Sequence, residues 1–100
     1  MKRTRSMVYK NSVESHELVL CTVNEAGLYP MIQAVTKSLA KKAKKGVYDS
    51  EKAIDAWYPV VTEMSKRYHK YYGYAFTVQE RFTAAVDMEE YFRDEVFETV

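Results

Sequence analysis

Glycine, proline and cysteine are all scarce in this 100-residue chain, at three, two and one. So little Gly and Pro excludes the many tight turns of a sandwich or barrel and favours a few long elements with short connections. The single cysteine, Cys21, excludes an internal disulfide and cannot build a thiolate metal cluster, which points to a reducing compartment. The net charge is only +1, so the totals set no bias toward nucleic acid or an acidic membrane surface. No apolar run approaches the roughly 20 residues that span a bilayer. The basic start, Met1-Lys2-Arg3-Thr4-Arg5, is not followed by the apolar stretch of a secretory signal. Neither a leader nor a membrane partner is expected.

What is present is hydrophobic and aromatic material, 47% and 14% of the residues, enough for one buried core in one domain. The expected organisation is a flexible basic arm over residues 1–13 and a single helical domain over residues 14–100. Within that domain, residues 17–23 form a short apolar run, Glu17-Leu18-Val19-Leu20-Cys21-Thr22-Val23. Its β-branched content suits a strand and its length a buried short helix. Nothing else in the chain offers a strand partner, which tips the reading toward helix.

Three stronger patterns follow. Over residues 28–45, Leu28, Ile32, Val35, Leu39 and Ala43 recur at spacings of three and four, the mark of one helix face. Pro30 sits near the start, where its missing N–H is harmless. Gly46 stops the helix, and Lys41, Lys42, Lys44 and Lys45 load its end, where cations meet the negative end of the helix dipole. Over residues 50–72, Asp49 is the expected N-cap. Ala53, Trp57, Val60, Val61, Met64, Tyr68 and Tyr71 make the apolar stripe, with Pro59 placed almost opposite, on the solvent side of a kinked helix. Over residues 77–97, Thr77-Val78-Gln79-Glu80 matches a capping box, with Val78, Phe82, Ala85, Phe92 and Val96 expected inward. The predicted fold is all-α: a small three-helix bundle with a short extra N-terminal element, helix or strand.

The order Gly27-Leu28-Tyr29, then Lys41-Lys42-Ala43-Lys44-Lys45-Gly46-Val47-Tyr48-Asp49-Ser50-Glu51-Lys52-Ala53, then Trp57, then Lys66-Arg67-Tyr68 resembles a widespread family of short phage- and prophage-encoded helical proteins of uncharacterised function. The likeness continues through Glu80-Arg81, Ala84-Ala85 and Tyr91-Phe92 and spans about residues 17–96. Its most specific part is residues 44–53. Pro59 and Tyr71-Tyr72-Gly73-Tyr74 depart from it. The resemblance implies phage origin and expression in the cytoplasm of an infected bacterial host. It brings no reaction, cofactor or catalytic residue.

The residues themselves supply no catalytic set. Cys21 and His16 share an apolar segment without a third group to hold them, and read as a buried thiol and a surface imidazole. His69 lies among Lys66, Arg67 and Lys70, a neighbourhood that repels a metal ion, and the Cys and His spacing matches no zinc pattern. The three glycines are too dispersed for a phosphate loop. No enzyme, metal or cofactor is expected.

Three surface features remain. Asp87, Glu90, Asp94 and Glu98 fall in one outward sector of the last helix at 100° per residue. They lie in its C-terminal half, where carboxylates oppose the dipole, with Arg93 as local relief. Lys37, Lys41 and Lys44 share an outward face, with Lys45 beside them, suited to phosphate or an acidic partner. Tyr68, Tyr71, Tyr72 and Tyr74 crowd one bundle end, either closing the core or forming an aromatic interface. The leading expectation is a non-enzymatic protein that binds a host protein or defence complex as a host-takeover or anti-defence inhibitor, through the acidic face first. The alternatives are a nucleic-acid-binding module on the lysine face and a self-assembling structural protein, with a homodimer left open.

Overall fold

The computed structural model describes residues 12–99. Their order is α1 (Ser12–Asn24), a 3-10 turn (Ala26–Leu28), α2 (Tyr29–Lys44), α3 (Ser50–Tyr72) and α4 (Val78–Thr99), with no strand among the described residues. The expected basic arm lies outside these residues except at its end, where Ser12 and Val13 already belong to α1. The N-terminal element is therefore a 13-residue helix, which packs extensively on α4 and also on α3. It is a fourth member of the fold, where three helices and a short extra element were expected.

Local chemistry explains where each helix begins and ends. Lys45 and Gly46 close α2: Val47 N–H donates to the Lys42 carbonyl at 2.9 Å and Gly46 N–H to that of Ala43 at 3.0 Å. Gly46 stands at φ 76°, in the left-handed region that glycine enters without steric cost. Asp49 caps α3, its Oδ1 accepting from Glu51 N–H at 2.9 Å. The helix continues unbroken through Pro59, whose ring is exposed. The capping box at α4 forms as expected: Thr77 N–H donates to Glu80 Oε1 at 2.9 Å, and Glu80 N–H to Thr77 Oγ1 at 3.1 Å.

The helices form a slab of 41 × 34 × 16 Å, a thickness that fits two helix layers at the usual 8–10 Å spacing. The chain turns by 78° between α1 and the segment that follows. The core centres on Trp57, fully buried and stacked on Phe92 with centroids 4.9 Å apart. Leu18, Leu28, Val60, Val61, Met88 and Val96 close around it. Gly27 sits where a Cβ would meet Arg67 Nη1 at 2.7 Å, so two separated motif fragments meet here. Arg67 also bonds Glu25 at 3.4 Å and Glu63 at 3.3 Å.

The single apolar face expected for α4 is corrected. Val78 and Phe82 are 65% and 40% exposed, whereas Glu80, Thr83, Ala84, Met88 and Glu89 are buried. Helix α4 packs against α1, α2 and α3, so its buried surface widens and rotates along its length. On α3, Tyr71 likewise leaves the expected stripe and is 66% exposed.

Glu89, only 1% exposed, is held by three bonds. Arg93 Nε donates to its Oε2 at 2.8 Å and Nη2 to its Oε1 at 2.6 Å. The Tyr48 hydroxyl donates to Oε2 at 2.7 Å. Burial, and then this bond, make the Tyr48 phenol harder to ionise, and the carboxylate holds Arg93 firmly charged. Arg93→Met, which leaves the carboxylate buried without its cation, is expected to lose about 2 kcal/mol of stability. Tyr48→Phe should lose about 1 kcal/mol. Urea unfolding at neutral pH measures both, and equal stability of Arg93→Met and the wild type would contradict this account.

Candidate functional site

Helix α1 turns Ser15, Leu18, Val19 and Thr22 toward the interior. The Thr22 hydroxyl donates to the Leu18 carbonyl at 2.7 Å, so this buried group is satisfied within the helix. The buried side holds only Leu18 and Val19 beside the small Ser15 and Thr22, and the other apolar residues fall outside it: Val13 is 77% and Leu20 43% exposed. Each flank of α1 then borders a groove.

The first groove runs between α1 and α4, about 480 Å³, lined by His16, Val19, Leu20, Val23, Asp87, Glu90 and Tyr91. Tyr91 is 64% exposed. Asp87 is half-buried here, although all four acids were expected on a fully outward face. Its carboxyl is pushed above the ordinary range by burial first and by Glu90 second, with His16 opposing. Glu90, Asp94 and Glu98 are exposed. Arg93, expected to relieve this stripe, forms its ion pair with Glu89 and reaches Glu90 only through space. Among the described residues none of the four acids forms an ion pair.

The second groove lies on the other flank, about 390 Å³, between the start of α1 and the end of α3. Tyr68 is half-buried, with centroids 4.6 Å from Tyr72 and 5.0 Å from Phe76. Tyr74 packs 4.9 Å from Phe76, and its hydroxyl lies 3.0 Å from both Glu80 carboxylate oxygens. Tyr71 touches Tyr72 at 6.5 Å and does not line the groove. The tyrosines therefore divide: Tyr68, Tyr72 and Tyr74 line the groove over Phe76, and Tyr71 stays outside it.

The predicted lysines, Lys37, Lys41, Lys44 and Lys45, are all exposed and make no ion pair among the described residues. Lys37 borders a cleft of about 270 Å³ with Glu95, Ile32 and Thr36, so it is set apart toward α4.

For chemistry, His16 and Cys21 lie on opposite flanks of α1. The Cys21 thiol donates to Glu17 Oε2 at 3.6 Å. Burial, and then Glu17, push it upward, the reverse of what activates a cysteine nucleophile. No group of three or more His, Cys, Asp or Glu side chains is placed to hold a metal among the described residues. No single helix there is long and apolar enough to cross a membrane.

No family model, curated protein or solved structure matches the chain. Residues 44–53, the most specific part of the family resemblance, are explained by their place in the fold. Gly46 turns the chain, Tyr48 reaches Glu89, Asp49 caps α3 and Ala53 is fully buried. The sequence pattern did not point to Glu89, Leu20, Tyr91, Glu14 or Glu17. For Glu89 a signal existed: the stripe from Ala85 to Phe92 skips the position four residues on, which Glu89 fills.

The raised Asp87 carboxyl carries a pH prediction. Its ionised form is disfavoured in the folded state, so at neutral pH this carboxyl costs stability that a neutral side chain would keep. Asp87→Asn is expected to stabilise the fold at pH 7 by about 0.5 kcal/mol. That gain should vanish as pH falls below the ordinary carboxylate range, where Asp87 is protonated in both states. Thermal unfolding of the two proteins between pH 3 and 7 tests this, and a gain that grows toward low pH would refute it.

Proposed function

We propose that this chain is a small non-enzymatic binding protein of phage type that occupies a host protein in the cytoplasm of an infected bacterium. The docking surface is the groove between α1 and α4. The observation that carries this reading is the exposure of Leu20 and Tyr91 beside Asp87 and Glu90. An apolar centre within a charged rim is the layout of a protein interface, and tyrosine is a frequent anchor in one. Asp94 and Glu98 extend the acidic rim along α4, and their uncompensated charge favours and steers a basic partner. The resemblance at residues 44–53 supports the phage setting and, with it, a host protein or defence complex as target.

The test is an affinity capture from bacterial host lysate with the full chain, identified by mass spectrometry. Tyr91→Ala and the triple reversal Asp87→Lys, Glu90→Lys and Asp94→Lys should each lower recovery of the specific partner at least tenfold while circular dichroism stays helical. Undiminished capture by both variants would end this reading.

A second reading has its own observation: Lys41, Lys42, Lys44 and Lys45 are exposed side by side at the end of α2, without ion pairs among the described residues. Such a cluster suits nucleic-acid backbone. On that reading a gel-shift titration at low salt shows a complex that weakens steeply as salt rises, and Lys41→Gln with Lys44→Gln removes it. A chain that shifts neither DNA nor RNA at low salt would exclude it.

A further inference from the structure

The groove on the other flank of α1 stands apart from the surface just proposed and carries its own chemistry. We propose that it receives a lysine or arginine side chain presented by a partner polypeptide. Tyr68, Tyr72 and Tyr74 bring three aromatic rings to it, with Phe76 beneath, and Glu14 and Glu17 line the same space. Tyr72, at 72% exposure, offers most of its ring to a visitor. The groove's volume of about 390 Å³ falls within the range of ligand sites.

Two features select a cation. Aromatic faces attract a guanidinium or ammonium held within about 6 Å of the ring centre. The molecule already makes one such contact elsewhere, with the Arg81 guanidinium 5.9 Å from the Tyr58 ring centre. The carboxylates supply the second feature. Among the described residues Glu14 and Glu17 have no ion pair, and no lysine or arginine lines the groove. The Glu17 carboxylate accepts, among the described residues, only the weak thiol bond from Cys21. Their negative field is felt by the rings: burial first, then Glu17, makes the Tyr68 hydroxyl harder to ionise. For Tyr74 the causes are burial, then Glu80, then Glu14. An anion would be repelled from this space, and an apolar side chain would strip water from two carboxylates without replacing it. A basic side chain satisfies both, its stem on the rings and its head between the acids.

The test is a chemical-shift titration of the isotope-labelled full chain with a short neutral-backbone peptide carrying two arginines, acetyl-Gly-Arg-Gly-Arg-Gly-amide. Its lysine and citrulline counterparts are titrated in parallel. The arginine or lysine peptide is expected to move the Glu14, Glu17, Tyr72 and Tyr74 signals, less so in high salt, and the citrulline peptide to leave them in place. Tyr72→Ala, and separately Glu14→Gln with Glu17→Gln, should weaken binding at least fivefold. Tyr71→Ala, an equally exposed ring outside the groove, should not.

Equal binding of the citrulline peptide overturns the proposal, as does an equal loss in Tyr71→Ala. Shifts confined to Asp87 and Glu90 overturn it too, while leaving the α1–α4 surface as the basic-partner site. Binding seen only after Lys2, Arg3, Arg5 and Lys10 are all replaced by Gln would make the chain's own basic segment the occupant. Concentration-dependent shifts at the groove without peptide would make it a second copy. Either result refutes a separate partner.

Discussion

A carboxylate buried in the most enclosed helix is the constraint around which this fold is arranged. Glu89 loses its water on folding, a cost that only full hydrogen bonding offsets. Arg93 supplies the paired guanidinium contact from one turn along α4, and Tyr48 supplies a phenol from the corner between α2 and α3. The corner is thereby pinned to α4, and Tyr48 packs on Phe97 at 5.0 Å from the same position. Since α2 and α3 leave that corner in opposite chain directions, one buried acid helps fix how both helices approach α4. The arrangement also has an effect at the surface. By engaging Arg93 it leaves Glu90 with only a through-space share of that cation, and Asp87 and Asp94 without an ion pair among the described residues.

Helix α1 follows a different logic. Its apolar residues nearly encircle it, so no single face could hold them all inside. The interior takes Leu18 and Val19 with the small Ser15 and Thr22, and Val13 and Leu20 are left at the surface. The two grooves beside α1 are thus a consequence of packing an all-round apolar helix against a nearly complete three-helix arrangement. One groove is closed by acids from α4, the other by tyrosines from α3 and the loop after it.

How legible this was depends on how local the cause was. The span of α3 could be read to the residue, because Asp49, Gly73 and the apolar spacing from Ala53 to Met64 act within a turn or two. The capping box at Thr77 was legible for the same reason. The inward face of α4 was not: periodicity assumes one packing partner, and with three partners Val78 and Phe82 face out while Glu89 and Thr83 face in. For α1 the apolar run lacked a period and left helix and strand open. The acidic sector of α4 was visible in sequence. Its apolar neighbours were not, since only the tertiary arrangement brings Leu20 and Val23 beside Asp87 and Tyr91.

The acids of α4 also have an energetic cost, which bears on what their surface is for. Glu98 sits in the last turn, at the negative end of its helix dipole, at a cost of roughly 0.3–1 kcal/mol, and Asp94 lies one turn before it. Like charges four residues apart, Glu90 with Asp94 and Asp94 with Glu98, add a few tenths more. Asp87 is held part-buried against its own ionisation. A marginally stable domain of 100 residues can absorb these costs, and within the described fold His16 beside Asp87 and Arg93 near Glu90 offset only part of them. A basic surface laid against α1 and α4 would relieve all three at once. It would cover Leu20 and Tyr91, and the charge that is unfavourable in the free chain would become binding energy in the complex.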